Sequence, residues 1–268
     1  MSEQMTIEEV QGLELEMLDY LNDVCRVNAI EYSLAYGTAL GACRDNGFIP
    51  WDDDVDVYVP RSEMNRLIAA VNDEGGLYRV FVPNETPGYR HPYPKLVRTD
   101  TKLVEPKNKP VPDLGVFIDL FPCDFVSSES LMQKARQRVV NLLNKVYCQI
   151  YVRNHSGDGF LLSLLRLLSL VASAVPPQFF HRINETIATA FTETDAQPGD
   201  WLASPYDECR LLPVDFVFPS TRHVFSNRTY LAPAKLNEYC RIIYGDEYMR
   251  PIRTDNAFHG VVTRRDAS

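Results

Sequence analysis

The stretch FIPWDDDVDVYV, Phe48 to Val59, sets Asp52, Asp53, Asp54 and Asp56 against the alternating valines Val55, Val57 and Val59. Period-two alternation predicts a strand whose valines face the core and whose Asp54 and Asp56 share the opposite face, roughly 6–7 Å apart. Carboxylates that close repel one another and rise in pKa unless a cation compensates them. Oxygen-only donors with no histidine or cysteine nearby suit a hard divalent ion, Mg²⁺ or Mn²⁺. Asp52 and Asp53 fall on the approach turn, as outer groups around the ion or as solvated ones. A third carboxylate, Asp119, lies between Ile118 and Leu120 in GVFIDLFPCD. An aspartate in a buried strand needs a partner, and the same ion is the economical one. The plainer readings are a charged surface turn for Asp54 and Asp56 and a hydrogen-bonded structural aspartate for Asp119.

Upstream, Tyr36-Gly37-Thr38 offers a glycine turn leading into a helix, where backbone N–H groups and the Thr38 hydroxyl can take phosphate oxygens. Arg44 and Lys95 supply positive charge, with Arg98 a weaker candidate because its strand parity is opposite to that of Lys95. Arg44 also reads as a structural clamp on the aspartates, and Lys95 as a solvated strand residue. Trp51 and Tyr58 have the chemistry of a cage for a quaternary ammonium group, yet aromatics make up 11% of the chain and most must serve the core.

These residues need a scaffold of strands and helices. Thr6 to about Asn28 predicts an opening helix, with Thr6 as N-cap and Glu9 completing a capping box. Tyr32–Gly37 reads as a strand, TALGACRDNG as a short helix closed by Gly47, and Pro60 ends the strand of alternating valines. A helix over Ser62–Asn72 follows, then strands at Leu77–Val82, Tyr93–Thr99 and Gly115–Phe121. Ser128 to about Val152 and Gly159 to about Thr194 read as helices, the second broken at Pro176 and Pro177. From Pro198 the chain returns to short elements, with a helix over Pro233–Tyr244 ended by Gly245. The order predicts an α/β (α+β) core with a helical insertion over about 128–195, in one domain spanning 1–268.

Composition narrows the function. The chain has 268 residues, is 45% hydrophobic and carries a formal net charge of −9, which argues against broad attraction to nucleic acid or anionic lipid. Its six cysteines are scattered, with no metal-binding spacing, and predict reduced thiols in a cytoplasmic protein. The acidic N-terminus lacks the features of a secretory signal. The apolar run Phe160–Val175 is interrupted by Arg166 and is short for a membrane span. It reads as core packing under a helical cap or as peripheral contact with the inner face of a membrane.

The glycine before Thr38, the Asp-Val-Asp strand and the later lone Asp119 together resemble the nucleotidyltransferase superfamily that includes polymerase β. A sharper resemblance covers LAYGTALGACRDNGFIPWDDDVDV, the later FIDLFP and the C-terminal YGDEYMRP. This is similar to the signature of the LicD family, bacterial phosphocholine transferases related to fukutin and the fukutin-related protein. The resemblance implies a nucleotidyltransferase-like mixed sheet flanked by helices. It implies transfer of phosphocholine, or a similar phospho-alcohol, from a CDP-alcohol donor, CDP-choline foremost, to a hydroxyl of a glycan or lipid-linked glycan acceptor, with release of CMP. In that setting Asp54 and Asp56 would hold Mg²⁺ against the donor diphosphate. Asp119 would complete the metal shell or take the proton of the attacking hydroxyl, Gly37 and Thr38 would cradle phosphate, Arg44 would add positive charge, and Lys95 would neutralise the departing CMP. Two other readings are a true nucleotidyltransferase that releases pyrophosphate and a silent glycan-binding scaffold.

Overall fold

The computed structural model describes residues 4–106, 108, 110–127, 131–152, 176–190, 192, 197, 199–204, 211–253 and 260–265. Helix α1 (Ile7–Val27) begins where the capping box places it. The Thr6 hydroxyl accepts the Glu9 N–H at 3.2 Å, and the Glu9 carboxylate accepts the Thr6 N–H at 2.8 Å. Its Leu13, Met17, Leu18 and Leu21 are buried at helical spacing, so one face closes against the core.

The central sheet is built from β1 (Ser33–Leu34), β2 (Val55–Pro60), β3 (Tyr78–Phe81), β4 (Lys95–Arg98) and, beyond β5 (Thr101–Val104), the long β6 (Phe117–Val126). Their order is β1-β2-β6-β4-β3, with β2 and β6 parallel and the other pairs antiparallel. β6 is long enough to pair β4 through Phe117–Asp119 and then β7 (Trp201–Ala203) through Asp124–Val126; β8 (Leu211–Pro213) adds to β7. A hairpin of β9 (Thr221–Phe225) and β10 (Arg228–Ala232) turns at Ser226 and Asn227, both at positive φ, the geometry a two-residue hairpin loop demands. β11 (Val261–Arg264) pairs with β5.

The remaining helices are α2 (Tyr36–Arg44), α3 (Arg61–Glu74), α4 (Leu131–Tyr147) with a π-helical turn at Cys148–Val152, α5 (Pro177–Ala188), α6 (Val214–Val217) and α7 (Leu236–Tyr244). The predicted α+β core with a mixed sheet is therefore present. α4 and α5 lie within 128–195, while the apolar run 160–175 lies outside the described residues. The five described cysteines are free, and Cys209 also lies outside.

Several local expectations change. The strand expected over Tyr32–Gly37 shrinks to Ser33–Leu34, and Gly37 and Thr38 sit inside the first turn of α2 rather than in a turn before it. The left-handed residue is Tyr36, at φ 40, not the glycine. The Tyr239 hydroxyl accepts its N–H at 2.9 Å, and its ring packs edge-on against Tyr58 and Phe121, which holds that backbone in place. The strand β2 is buried along its whole length, so alternation there separates two covered faces instead of core from solvent. β6 runs past the expected end at Phe121 to Val126 because β7 supplies a second partner. The last long helix starts at Leu236 rather than Pro233, since Ala232 still belongs to β10.

Candidate active site

Parallel pairing of β2 with β6 sets Asp56 opposite Asp119, and antiparallel pairing of β4 sets Lys95 opposite Asp119 from the other side. One row across three strands therefore reads Asp56, Asp119, Lys95. Asp54, one residue before β2, joins them: one carboxylate oxygen each from Asp54, Asp56 and Asp119 lies within 4.8 Å of the others. Among the described residues this is the single such group with metal-ligand chemistry.

Asp119 is 4% exposed and Lys95 is 2% exposed. The Lys95 ammonium donates to Asp119 Oδ1 and stands 3.4 Å from the centroid of the Phe117 ring, while the Tyr93 hydroxyl donates to Asp119 Oδ2 at 3.3 Å. Lys95 is thus neither a solvated strand residue nor a group on the cavity wall. Its ammonium is held by Asp119 inside the sheet and packs against the Phe117 ring.

Burial pushes the Asp56 carboxyl well above the usual carboxylate range, and Asp54, Asp119 and Asp52 push it further; Lys95 opposes them. The same cluster acts on two groups outside it. Burial, then Asp54 and Asp53, raise the Glu14 carboxyl of α1, whose Oε2 has no hydrogen-bond partner. Burial, then Asp56, raise the phenol of Tyr244. Such a concentration of negative charge with oxygen donors alone fits a hard divalent cation, and Asp54, Asp56 and Asp119 are the residues that would hold it.

A cavity of about 480 Å³ opens beside the cluster, within the range of small-molecule sites. Helix α2 contributes Gly37, Leu40 and Arg44; the loop before β2 contributes Ile49, Trp51, Asp52 and Asp54; Asp56 comes from β2; the chain from Tyr244 to Ile252 closes the far side with Tyr244, Glu247, Tyr248, Arg250 and Ile252. Gly37 lies close against Asp52: a Cβ there would stand 2.7 Å from Asp52 Oδ2, the end of a side chain that would have to shift.

The structure thus brings Asp54, Asp56, Gly37 and Arg44 to one cavity, with Asp119 and Lys95 adjoining Asp56. Arg44 reaches this wall while paired with Asp45 at 2.8 Å, so the clamp it forms is with Asp45 and not with the aspartate cluster. Thr38 turns away: its buried hydroxyl accepts the Asp56 N–H at 2.8 Å and pins α2 to β2. Arg98 is remote in role, paired with Glu16 and Asp100. Asp53 is buried rather than solvated, beside Glu14, Leu103, Val116 and Phe117. Tyr58 is fully buried between Tyr36 and Tyr239, so of the two cage candidates only Trp51 reaches the cavity. Sequence reasoning missed Tyr93, Glu14, Tyr244 and Arg250. Tyr93 was legible from its shared parity with Lys95, and Tyr244 and Arg250 belong to the YGDEYMRP motif, to which no role had been attached.

Compared with known proteins, residues 29–139 match the nucleotidyltransferase domain described as LicD/FKTN/FKRP. That range contains Gly37, Thr38, Arg44, Asp54, Asp56, Lys95 and Asp119, but not the Tyr244–Ile252 wall. The chain is also 34% identical, over 140 residues, to the lipopolysaccharide cholinephosphotransferase LicD of Haemophilus influenzae. The alignment covers 50% of this chain and 52% of that protein, so the chain spans about half the length of the curated relative it matches. No helix among the described residues is long and apolar enough to cross a membrane. Residues 29–139, with their clustered carboxylates, are therefore similar to the LicD/FKTN/FKRP nucleotidyltransferase domain.

Proposed function

We propose that this protein is a metal-dependent transferase that moves phosphocholine, or a similar phospho-alcohol, from a CDP-linked donor to a hydroxyl of a cell-surface glycan precursor, with CMP as the leaving group. The observation that carries this reading is the convergence of Asp54, Asp56 and Asp119 within 4.8 Å beside a cavity that also holds Arg44 and Arg250. Phosphoryl transfer is served mainly by positioning and charge neutralisation, and acids and arginines around one cavity supply the means for both. When bound, Mg²⁺ or Mn²⁺ would neutralise charge on the donor diphosphate and polarise it.

The protein's own groups divide the remaining work. Gly37 leaves room at the start of α2 for a close approach to phosphate, and Arg44 and Arg250 offer guanidinium donors to its oxygens. Lys95 and Tyr93 fix the orientation of Asp119. As the acceptor oxygen bonds to phosphorus and the bond to CMP breaks, the hydroxyl proton passes to a carboxylate oxygen of the cluster. The cholinephosphotransferase name of the Haemophilus relative supports choline as the alcohol.

The test is incubation with CDP-choline, Mg²⁺ and a glycan acceptor, with CMP as the measured product. CMP release that requires acceptor and disappears in the Asp54→Asn, Asp56→Asn double variant supports the proposal. Pyrophosphate release from CTP would assign nucleotidyl transfer instead. Unchanged biological activity in the double variant would assign a binding role.

A further inference from the structure

Helix α4 is amphipathic in the reverse of the usual sense. Its buried arc is largely polar: Gln133, Arg136, Gln137, Asn141 and Asn144, with Val140 and Tyr147. Partners anchor that arc. Arg136 donates to the carbonyls of Ala188 and Ala190, Gln137 donates to the carbonyl of Ser204, and Asn184 of α5 donates to Asn144 Oδ1 at 2.7 Å. Its outward side carries Leu131, 87% exposed, Leu142, 62% exposed, and Met132, Val139 and Val146. Phe179 of the packed helix α5 is also exposed. A helix on a water-facing surface normally presents the opposite pattern.

The exposed residues form an organised stripe. At 3.6 residues per turn the five fall within an arc of about 100°, and Lys134, Arg138 and Lys145 line one edge of it. The helix LMQKARQRVVNLLNKVY has no acidic residue, although the chain as a whole carries a net charge of −9. An apolar stripe edged by lysine and arginine matches the boundary between acyl chains and anionic headgroups. The acidic remainder of the molecule acts weakly there, because charge is screened over about 8–10 Å at ordinary ionic strength.

We infer that the exposed face of α4 is a docking surface for an anionic lipid membrane, with Leu131, Val139, Leu142 and Val146 at the acyl boundary and Arg138 and Lys145 among the headgroups. None of these residues lines the cavity of the candidate active site, and the surface does not depend on the transferase reading.

The experiment is co-sedimentation of the full chain with vesicles of phosphatidylcholine alone or mixed with phosphatidylglycerol. The expected result is binding to the mixed vesicles that falls about tenfold or more in Leu142→Glu, with Tm unchanged. Arg138→Glu combined with Lys145→Glu should remove the preference for phosphatidylglycerol. Absence of vesicle binding by the wild type, or binding indifferent to Leu142→Glu, overturns the proposal. So does a Leu142→Glu variant that loses Tm or changes oligomeric mass while still binding vesicles, which would mean that residues 153–175 or a second copy of the chain cover this face.

Discussion

Asp56 and Asp119 face each other across two parallel strands, and Lys95 faces Asp119 from the strand beyond. Two carboxyl groups and one amine thus share a buried row, so acids outnumber the base before Asp54 is counted. That imbalance connects the stability of the protein with its proposed chemistry.

Removing the Asp56 carboxylate should therefore affect turnover more than folding, whereas removing that of Asp119 also strands the buried Lys95 ammonium and lowers stability. Asp56→Asn and Asp119→Asn are each expected to lower acceptor-dependent CMP release by about 10²–10⁴-fold. Mn²⁺ affinity, followed by titration calorimetry, should fall in parallel. Full activity in either variant would remove that residue from the site.

The raised pKa of Asp56 has a definite consequence for stability. A carboxyl whose folded pKa lies above its unfolded value binds its proton more tightly in the folded state. Its contribution is complete below the ordinary carboxylate range near 4 and is lost as pH rises through the elevated folded value. In metal-free buffer, Asp56→Asn should then melt above the wild type at pH 7 and lose that advantage below about pH 4. Thermal melts in EDTA across this window check it, at about 2–4 °C per kcal/mol for a chain of this size.

Lys95→Met should be among the most damaging single substitutions in the sheet. It leaves Asp119 buried without its cation, a loss of about 3–5 kcal/mol. Adding Asp119→Asn to the same chain should recover much of that loss, because the uncompensated charge goes too. Denaturant melts of both single variants and the double variant complete the cycle; strictly additive losses would contradict it.

Two glycines in α2 should respond differently to alanine. At Gly37 the new methyl meets the end of the Asp52 side chain, which can rotate away, so the fold should survive while donor binding weakens. At Gly41 it would stand 2.3 Å from the Gly47 carbonyl oxygen, fixed backbone, and a loss of about 3 kcal/mol or more is expected. Tm and donor KM measured on both variants separate the two effects.

Much of the site was legible in the sequence because its signals are local. The Thr6–Glu9 capping box, the Asp-Val-Asp alternation and the lone aspartate between Ile118 and Leu120 each bear on a few adjacent residues. The fate of Lys95 was not legible, since it depends on which strand lies beside β6 and in what register. The engagement of Thr38 was not legible for a related reason: its hydroxyl accepts a β2 backbone N–H, a contact that a helix-start motif does not reveal. Asp53 and Glu14 meet only through the packing of α1, and the tail strands β7 to β11 are too short for periodicity to detect.

The two strands that bear the aspartates are neighbours in space, yet α3 and the strands β3 to β5 intervene between them along the chain. Joining distant parallel segments is intrinsically slow, and here it also forces like charges together. Divalent cations should accordingly quicken refolding by relieving repulsion at that encounter. On the ribosome, the emerging polypeptide displays its acidic loop well before Phe117–Val126 arrives, so the three-carboxylate cluster can assemble only after synthesis has passed that segment.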